Sequence, residues 1–218
     1  ASESAALDIV GAAFVREVEP GEFLAINEDG IRSEMWAKPE PKGCIFEYVY
    51  LARPDSVIDG VSVYQTRLDM GKSLADKIKR EWADEKIDVV IPIPDTSRPS
   101  ALQVGLALGL DYREGFIKNR YIGRTFIEPG QAIRDFSARI KYNAVPDALR
   151  GKRIVLVDDS IVRGTTSRKI KDMILEAGAA EVHFRIASPP TAWPCFYGVD
   201  TPERSKLLAA TMTEDEMR

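Results

Sequence analysis

The pattern of apolar and polar residues after residue 43 alternates between two kinds of segment. Three short apolar segments have the length and composition of buried strands: residues 88–94, 153–157 and 181–187. Three amphipathic segments predict helices: residues 67–82, 100–109 and 166–178. Gly178 stands where the last of these helices is expected to end. Because apolar strands that alternate with helices form parallel sheets covered on both faces, the pattern predicts an α/β fold with a mainly parallel sheet.

The first part of the chain predicts smaller elements. A short helix is expected first, followed by a hairpin whose strands, residues 22–26 and 30–36, meet at the turn signal Asp29-Gly30. Residues 38–43 are rich in proline and lysine and are typical of a linker. The apolar and aromatic residues 44–51 predict another strand. The piece before the linker has too few apolar residues to fold alone.

One segment joins a predicted strand to a dense set of polar groups. The strand leads into two adjacent acids, Asp158 and Asp159, and a loop containing Gly164 then opens the last predicted helix. Four hydroxyl residues accompany them: Ser160, Thr165, Thr166 and Ser167. Loop amides and a helix N-terminus form an anion site, and a glycine lets a phosphate approach the backbone closely. Acids suit Mg²⁺ or sugar hydroxyls better than a phosphate. Since helix capping would explain only one of these residues, the segment predicts a site for a phosphorylated sugar.

Composition and charge narrow the possible functions. The chain has 218 residues, of which 44% are hydrophobic and 29% charged, as is ordinary for a soluble globular protein. A formal net charge of −4 argues against general nucleic-acid binding, and no apolar run reaches the about 18–20 residues that span a bilayer. The two cysteines form no disulfide framework, which fits a reducing, cytoplasmic location. The first residues do not form a signal peptide, and residue 1 is not methionine, so the chain can begin inside a longer protein.

Residues 157–167 (VDDSIVRGTTS) closely resemble the phosphoribosyl pyrophosphate motif of type I phosphoribosyltransferases. The form of the motif is similar to that of the amidophosphoribosyltransferases, the glutamine phosphoribosyl pyrophosphate amidotransferases. Residues 44–58, 90–97 and 118–131 resemble the same family, in the same order. The resemblance extends over nearly the whole chain. It implies the type I phosphoribosyltransferase fold, preceded by a small N-terminal remnant.

The resemblance also implies a domain arrangement. Residues 1–41 resemble the end of the family's glutaminase domain, residues 42–205 its phosphoribosyltransferase domain, and residues 206–218 the start of a truncated C-terminal segment. The glutaminase nucleophile of the family is an N-terminal cysteine, whereas residue 1 here is alanine. We therefore expect no glutaminase activity from this chain alone.

The reaction implied by the resemblance is a glycosyl transfer in purine biosynthesis. Phosphoribosyl pyrophosphate (PRPP) and ammonia give 5-phosphoribosylamine and pyrophosphate, with Mg²⁺ as the cofactor, as the first step of de novo purine synthesis. The ammonia comes from glutamine in the full-length enzyme. Purine nucleotides inhibit the family by occupying the sugar-phosphate site. We also expect a homo-oligomer in the full-length protein, and neither nucleic acid nor a membrane as a partner.

The family's binding residues map onto positions of this sequence. Asp158 and Asp159 match the residues at the ribose and its Mg²⁺, and Ser97 matches a further metal-associated position near the pyrophosphate. The 5′-phosphate is expected on the loop and helix start that follow the acids: Ser160, Ile161, Val162, Arg163, Gly164, Thr165, Thr166 and Ser167.

Catalytic residues are expected in residues 118–125, which in the family form a flexible loop that closes over the substrate. Lys118 and Arg124, together with Arg120, would stabilise the negative charge of the departing pyrophosphate, and Tyr121 would line the ammonia path. The only histidine, His183, alternates with apolar neighbours in a predicted strand, so a structural role is expected for it.

An iron–sulfur cluster, which some family members carry on four cysteines, is expected only in a longer parent chain. Cys44 and Cys195 fall where two of those ligands lie, and the other two would lie beyond residue 218. Two thiolates do not complete a four-cysteine site.

Three alternatives remain at this stage. The chain can be a regulator that binds PRPP without catalysis, although no DNA-binding module accompanies it. It can be a type I phosphoribosyltransferase that couples a base, although residues 118–131 do not resemble a base-recognition hood. It can also be an inactive fragment that keeps only nucleotide binding.

Overall fold

The structure, a computed structural model, describes residues 1–121, 141–199, 201 and 203–217. The chain divides into two units, Ala1–Tyr64 and Gln65–Arg218. The predicted domain boundaries after residues 41 and 205 stay predictions.

The first unit contains the predicted short helix and hairpin. Helix α1 covers Ala5–Ile9, and strands β1 (Glu22–Asn27) and β2 (Gly30–Met35) pair antiparallel, with Asn27 opposite Gly30. Gly30 has a φ of 121°, which only glycine adopts readily, and this explains the turn. Two further short strands pair antiparallel, β3 (Val57–Ile58) and β4 (Val61–Ser62).

The strand predicted at residues 44–51 is wrong, because this segment is helical. Ile45 and Phe46 are α-helical, and a π-helical turn follows at Glu47–Leu51. The rings of Phe46 and Tyr50, four residues apart, lie 5.6 Å from each other, and Val49 on the same side is buried. Strand propensity depends on a partner strand and a surface to pack on. The apolar residues here also fit the three- and four-residue period, which the helix uses.

The elements from residue 63 onward build an α/β arrangement. The helices are α2 (Val63–Glu81), α3 (Arg98–Leu108), α4 (Pro146–Leu149), α5 (Thr165–Glu176), α6 (Leu208–Thr211) and α7 (Glu214–Met217), with a 3₁₀ turn at Arg204–Lys206. The strands are β5 (Val89–Pro92), β6 (Asp111–Tyr112), β7 (Phe116–Lys118), β8 (Tyr142–Ala144), β9 (Arg153–Asp158) and β10 (Glu181–Ile186). The three helices and three strands predicted in this part are confirmed, with ends that differ by a few residues. β6, β7 and β8 were not predicted.

Four strands form one parallel sheet in the order β10-β9-β5-β6. The register places Val90 opposite Val155 and Pro92 opposite Val157. β7 and β8 form a separate antiparallel pair. Since consecutive parallel strands need crossover connections, α3 and α5 each run back along the sheet between its strands. This is the predicted type of fold.

Both faces of the sheet are buried, as its uninterrupted apolar strands require. On one face, Ile91, Ile154 and Leu156 pack with Ile170 and Ile174 of α5. The other face is covered by α2 and α3, whose residues in this cluster are Leu74, Ala75, Ile78, Ala101 and Val104. The alternation along β5 and β9 sends neighbouring residues to opposite faces. The carboxyl ends of β5 and β9 therefore lie next to each other at one rigid edge.

Among the helices that the structure describes, none is both long enough and apolar enough to cross a bilayer.

Candidate active site

The two adjacent acids lie at the carboxyl end of the sheet. Asp158 is the last residue of β9, and Asp159 follows it. Their backbone carbonyls accept hydrogen bonds from the amides of Ala187 (2.9 Å) and Ser188 (3.0 Å), which follow β10. On the other side, the amide of Ile93 donates to the carbonyl of Val157 at 2.9 Å. The backbone on which the acids stand is therefore fixed by both neighbouring strands.

Hydroxyl groups from two loops hold the acid side chains. Ser97 Oγ donates to Asp158 Oδ1 at 3.2 Å, and the amide of Asp159 donates to the same oxygen at 2.9 Å. Asp159 accepts hydrogen bonds from Thr96 Oγ1 and, at 2.5 Å, from Ser160 Oγ. Ser97 precedes α3 and is fully buried, and Asp159 is nearly so. The structure thus brings together the three residues predicted to hold a metal.

The acid pair carries more negative charge than its surroundings favour. Burial raises the pKa of Asp158, and the neighbouring charge of Asp159 raises it further. Burial also raises the pKa of Asp159, against the hydrogen bonds from Ser160 and Thr96, which lower it. Two buried carboxylates beside a serine hydroxyl form an all-oxygen donor set that a hard divalent cation would neutralise. The residues present therefore fit Mg²⁺.

Two cations near the acids were not found by sequence reasoning. Arg67 of α2 is 3% exposed, and its charge lowers the pKa of Asp159. The charge of Lys141, just before β8, also lowers the pKa values of both acids. Burial, and then the charge of Lys118, lowers the pKa of Lys141 itself. Each cation lies far from the motif in sequence, on an element whose placement only the fold reveals.

Asp95 links the loop after β5 to the base of the predicted catalytic loop. Its carboxylate accepts from Lys118 Nζ at 2.7 Å and from Arg98 Nη1 at 2.5 Å. Arg98 also contacts Glu114 at 3.1 Å, and Tyr112 Oη donates to the same carboxylate at 2.8 Å. The Pro94–Asp95 peptide is cis. Sequence reasoning missed Asp95, for which the only available signal was its position beside Ser97.

The predicted phosphate loop ends in an uncapped helix N-terminus. Gly164 has a φ of 74° and precedes α5, whose first turn has no side-chain cap. A Cβ at this glycine would lie 3.4 Å from Leu208 Cδ2, while the amide of Leu208 donates to the carbonyl of Val162 at 2.9 Å. The first amides of α5 are therefore available to an anion. Arg163, Thr165 and Thr166 are exposed, whereas Ser160, Ile161, Val162 and Ser167 are half-buried.

The predicted catalytic loop is described only in part. Lys118 ends β7 and points its ammonium group at Asp95. Tyr121 is 99% exposed, so the structure does not bring its ring to the acid pair. Arg124 lies outside the described residues.

The cysteines are both reduced: Cys44 is exposed and Cys195 is half-buried. The chain has no others, so its own thiols do not supply the four ligands of an iron–sulfur cluster.

Comparison with known proteins assigns the family. The family model described as the phosphoribosyl transferase domain matches residues 62–187. The chain belongs to the phosphoribosyl transferase domain family. The match begins just before α2 and ends just after β10, so it contains the parallel sheet, the acid pair and the uncapped helix of this phosphoribosyl transferase domain.

Curated relatives of this phosphoribosyl transferase domain protein are longer than the chain. The amidophosphoribosyltransferase of Mycobacterium tuberculosis is 55% identical over 218 residues, which are 100% of this chain and 40% of the relative. The enzymes of the same name from Pseudomonas aeruginosa and Bacillus subtilis are 54% and 50% identical, and the chain covers 44% and 45% of them. The chain thus spans less than half the length of these relatives.

Two solved structures are also similar over the whole phosphoribosyl transferase domain. One is the glutamine PRPP amidotransferase of B. subtilis complexed with ADP and GMP, with a TM-score of 0.85 and 50% identity over 99% of this chain and 47% of that one. The other is described as the allosteric regulatory enzyme of purine biosynthesis, with the same TM-score and identity over 100% and 46%. These likenesses agree with the resemblance noted from the motifs.

Proposed function

We propose that the chain carries the phosphoribosyl-transferring part of an amidophosphoribosyltransferase. In this reaction ammonia attacks C1 of PRPP, the bond from C1 to the pyrophosphate oxygen breaks, and a proton leaves the new amine. The products are 5-phosphoribosylamine and pyrophosphate, and the step opens de novo purine synthesis. In the longer protein, a cytoplasmic homo-oligomer on this proposal, glutamine supplies the ammonia.

The observation that carries the proposal is the pairing of an acid pair with an anion site at one sheet edge. Asp158 and Asp159 stand at the end of β9, and the uncapped first turn of α5 begins six residues later with Thr165. A sugar phosphate needs both chemistries within one molecule's length: acceptors for ribose hydroxyls and amides for the phosphate. The identity of 50–55% to amidophosphoribosyltransferases selects ammonia as the acceptor.

Each group has a defined task on this proposal. Asp158 and Asp159 would hold Mg²⁺ together with Ser97, and they would accept hydrogen bonds from the ribose hydroxyls. Bound Mg²⁺ would neutralise pyrophosphate as charge develops on it. Lys118 would meet the same leaving group from the other side. No general base is required to activate neutral ammonia, which agrees with a histidine content of one.

The experiment is pyrophosphate release from PRPP and Mg²⁺, with either ammonium chloride or glutamine as nitrogen donor. We expect release that ammonium stimulates and glutamine does not. Because PRPP also hydrolyses, phosphoribosylamine is trapped and counted against pyrophosphate in the same samples. Release without trapped amine, or no release with either donor, contradicts the proposal.

A second candidate is nucleotide binding without turnover. The B. subtilis relative, which is 50% identical in its solved structure, is described as a complex with ADP and GMP. Isothermal titration of the chain with GMP and with PRPP, alongside the release assay, separates the candidates. Tight binding of both ligands with no release would favour this second function.

A further inference from the structure

Three side chains that bind metals meet at a place that the proposed reaction does not use. Glu85 lies in the connection between α2 and β5, and Glu181 is the first residue of β10. His183 follows two residues later, so its side chain emerges on the same face of the strand as that of Glu181. One ligand atom from each residue lies within 4.8 Å of the others. The cluster therefore joins two segments that are distant in sequence.

The distances within the cluster match the edges of a metal coordination polyhedron. His183 Nε2 lies 3.2 Å from Glu181 Oε1 and 3.8 Å from Glu85 Oε2. Zinc binds histidine nitrogen and carboxylate oxygen at about 2.0–2.2 Å, so ligand atoms at two corners of a tetrahedron are about 3.3–3.6 Å apart. The observed separations lie close to both sides of this range, and small side-chain rotations would bring all three atoms onto one ion.

The imidazole nitrogen that faces the carboxylates is buried and unsatisfied. The His183 side chain is 13% exposed, and among the described residues its Nε2 has no hydrogen-bond partner although Glu181 is near. A buried polar atom without a partner costs free energy, so it is expected to have one in solution. The carboxylates remain accessible, with 42% of Glu85 and 53% of Glu181 exposed. An ion could therefore enter from solvent and use the buried nitrogen.

Neighbouring cations are already engaged elsewhere. Arg153 of β9 is in register with Glu181, but its guanidinium group binds Asp88 at 2.7 and 3.0 Å. Arg185, two residues beyond His183, lies over the ring of Trp82 at 4.2 Å. Among the described residues, no ion pair joins either arginine to Glu85 or Glu181 at 4.0 Å or less. The negative charge of the cluster is therefore left for another cation.

We propose that Glu85, Glu181 and His183 bind one divalent transition-metal ion, with Zn²⁺ as the best fit. One imidazole nitrogen with two carboxylates favours zinc over magnesium, which prefers oxygen ligands alone. Water completes the coordination on the exposed side. The ion ties the α2–β5 connection to β10, the strand at one edge of the parallel sheet.

The single histidine makes this site directly observable. Every imidazole signal in a ¹⁵N-detected NMR spectrum of the whole chain comes from His183. The probe is Zn²⁺ added stepwise in the presence of excess Mg²⁺, which occupies the acid pair at the other site. We expect the Nε2 resonance to shift and saturate near one equivalent, while Nδ1 changes less.

Variants assign the shift to the carboxylates. Glu85→Gln and Glu181→Gln each keep the size of a partly exposed side chain, and each is expected to weaken Zn²⁺ binding at least about tenfold. Glu203→Gln, which neutralises an exposed glutamate outside the cluster, is the matched control and should leave the titration unchanged.

Two results would overturn the site. The first is an Nε2 resonance that stays constant as Zn²⁺ is raised well above the protein concentration. The second is a shift that persists with the same affinity in both glutamine variants, because His183 would then bind zinc without these carboxylates.

Discussion

At the residue scale, the acid pair shows a conflict between stability and chemistry. Asp158 and Asp159 are adjacent in sequence and buried, and burial raises both pKa values. Hydroxyl donors relieve only part of this cost. A fold selected for stability alone would place neutral side chains here. The arrangement makes sense when a cation and a sugar complete it.

Replacing either acid should therefore separate activity from stability. We expect Asp158→Asn and Asp159→Asn each to lower ammonium-dependent turnover at least about 100-fold, since each removes charge from the metal and ribose site. The free energy of unfolding in Mg²⁺-free buffer should not fall, because each variant removes one of two repelling charges. Turnover assays and urea denaturation measure the two effects.

The control for these variants is Asp172→Asn, which neutralises an exposed aspartate of α5. It should change neither turnover nor stability. An acid-pair variant that keeps full turnover would refute the assignment of its residue.

A second residue-scale prediction concerns Asp88 and Arg153, which connect the start of β5 to the start of β9. The carboxylate accepts from the guanidinium group at 2.7 and 3.0 Å and from the Arg153 amide at 2.8 Å. The side-chain hydrogen bond, followed by the backbone one, holds the pKa of Asp88 below its ordinary value of 3.8. The ionised form therefore stabilises the fold above that pH, and this contribution is lost as the pH falls below 3.8.

We expect Asp88→Asn to unfold at a lower urea concentration than the natural chain at pH 7. The difference between the two should shrink as the pH is lowered from about 4 toward 2, where the carboxylate of the natural chain becomes protonated. Urea titrations at several pH values measure it. A difference that is constant over this range would mean that the lost contact is not electrostatic.

At the scale of elements, the sequence predicts what depends on local pattern and misses what depends on neighbours. The strands at β5, β9 and β10 are unbroken apolar segments, so their period and length predict them well. The helix at residues 44–51 was mistaken for a strand, because aromatic and β-branched residues fit both structures when the packing partner is unknown. β7 and β8 have three residues each, too few to produce a detectable pattern.

The candidate site divides in the same way. The acids, the glycine and the hydroxyls form one continuous segment and were predicted together, whereas Arg67 and Lys141 lie more than fifteen residues away from it on separate elements. A charged residue in a helix such as α2 ordinarily faces solvent, so nothing in the sequence distinguishes Arg67 from its neighbours. Only the packing of α2 on the sheet shows that it is buried.

The packing of α2 on α3 depends on Gly71. A Cβ at this position would lie 2.3 Å from the carbonyl oxygen of Ser100 and 2.7 Å from its Cα. Ser100 Oγ also donates to the carbonyl of Arg67 at 2.8 Å, which fixes the close approach of the two helices. The contact involves backbone atoms, so no side-chain rotation relieves it.

We expect Gly71→Ala to destabilise the fold by about 1–3 kcal/mol, because the helices must separate. This outweighs the gain of about 1 kcal/mol that alanine brings within a helix. Chemical denaturation measures it. Gly43→Ala is the control, since nothing lies within 4 Å of a Cβ there, and an equal effect in both variants would contradict the steric argument.

At the scale of the whole molecule, the two units differ in how much apolar surface they bury. In the Gln65–Arg218 unit, strands β5 and β9 are almost completely buried between two apolar clusters. In the Ala1–Tyr64 unit, the hairpin exposes large apolar side chains, with Trp36 77% and Ile26 74% exposed. The two units should therefore open with different free energies.

Hydrogen exchange followed by mass spectrometry tests this difference. We expect the amides of β1 and β2 to exchange at least about 100-fold faster than those of β9, because little burial opposes the opening of the hairpin. Peptides from α7, a short exposed helix, serve as a rapidly exchanging reference. Equal protection of β1 and β9 would show that the chain opens as one cooperative unit.

The contact between Asp95 and Lys118 bears on how the products leave. Without substrate, the ammonium group of Lys118 already has a resident counter-ion, the Asp95 carboxylate at 2.7 Å. On the proposed reaction, pyrophosphate would have to displace this carboxylate from the lysine, and the carboxylate would take the lysine back as the product departs. Turnover would then include an exchange of anions at one cation. The aspartate would weaken product inhibition, so Asp95→Asn should make pyrophosphate a tighter inhibitor and a slower-leaving product, as inhibition kinetics can measure.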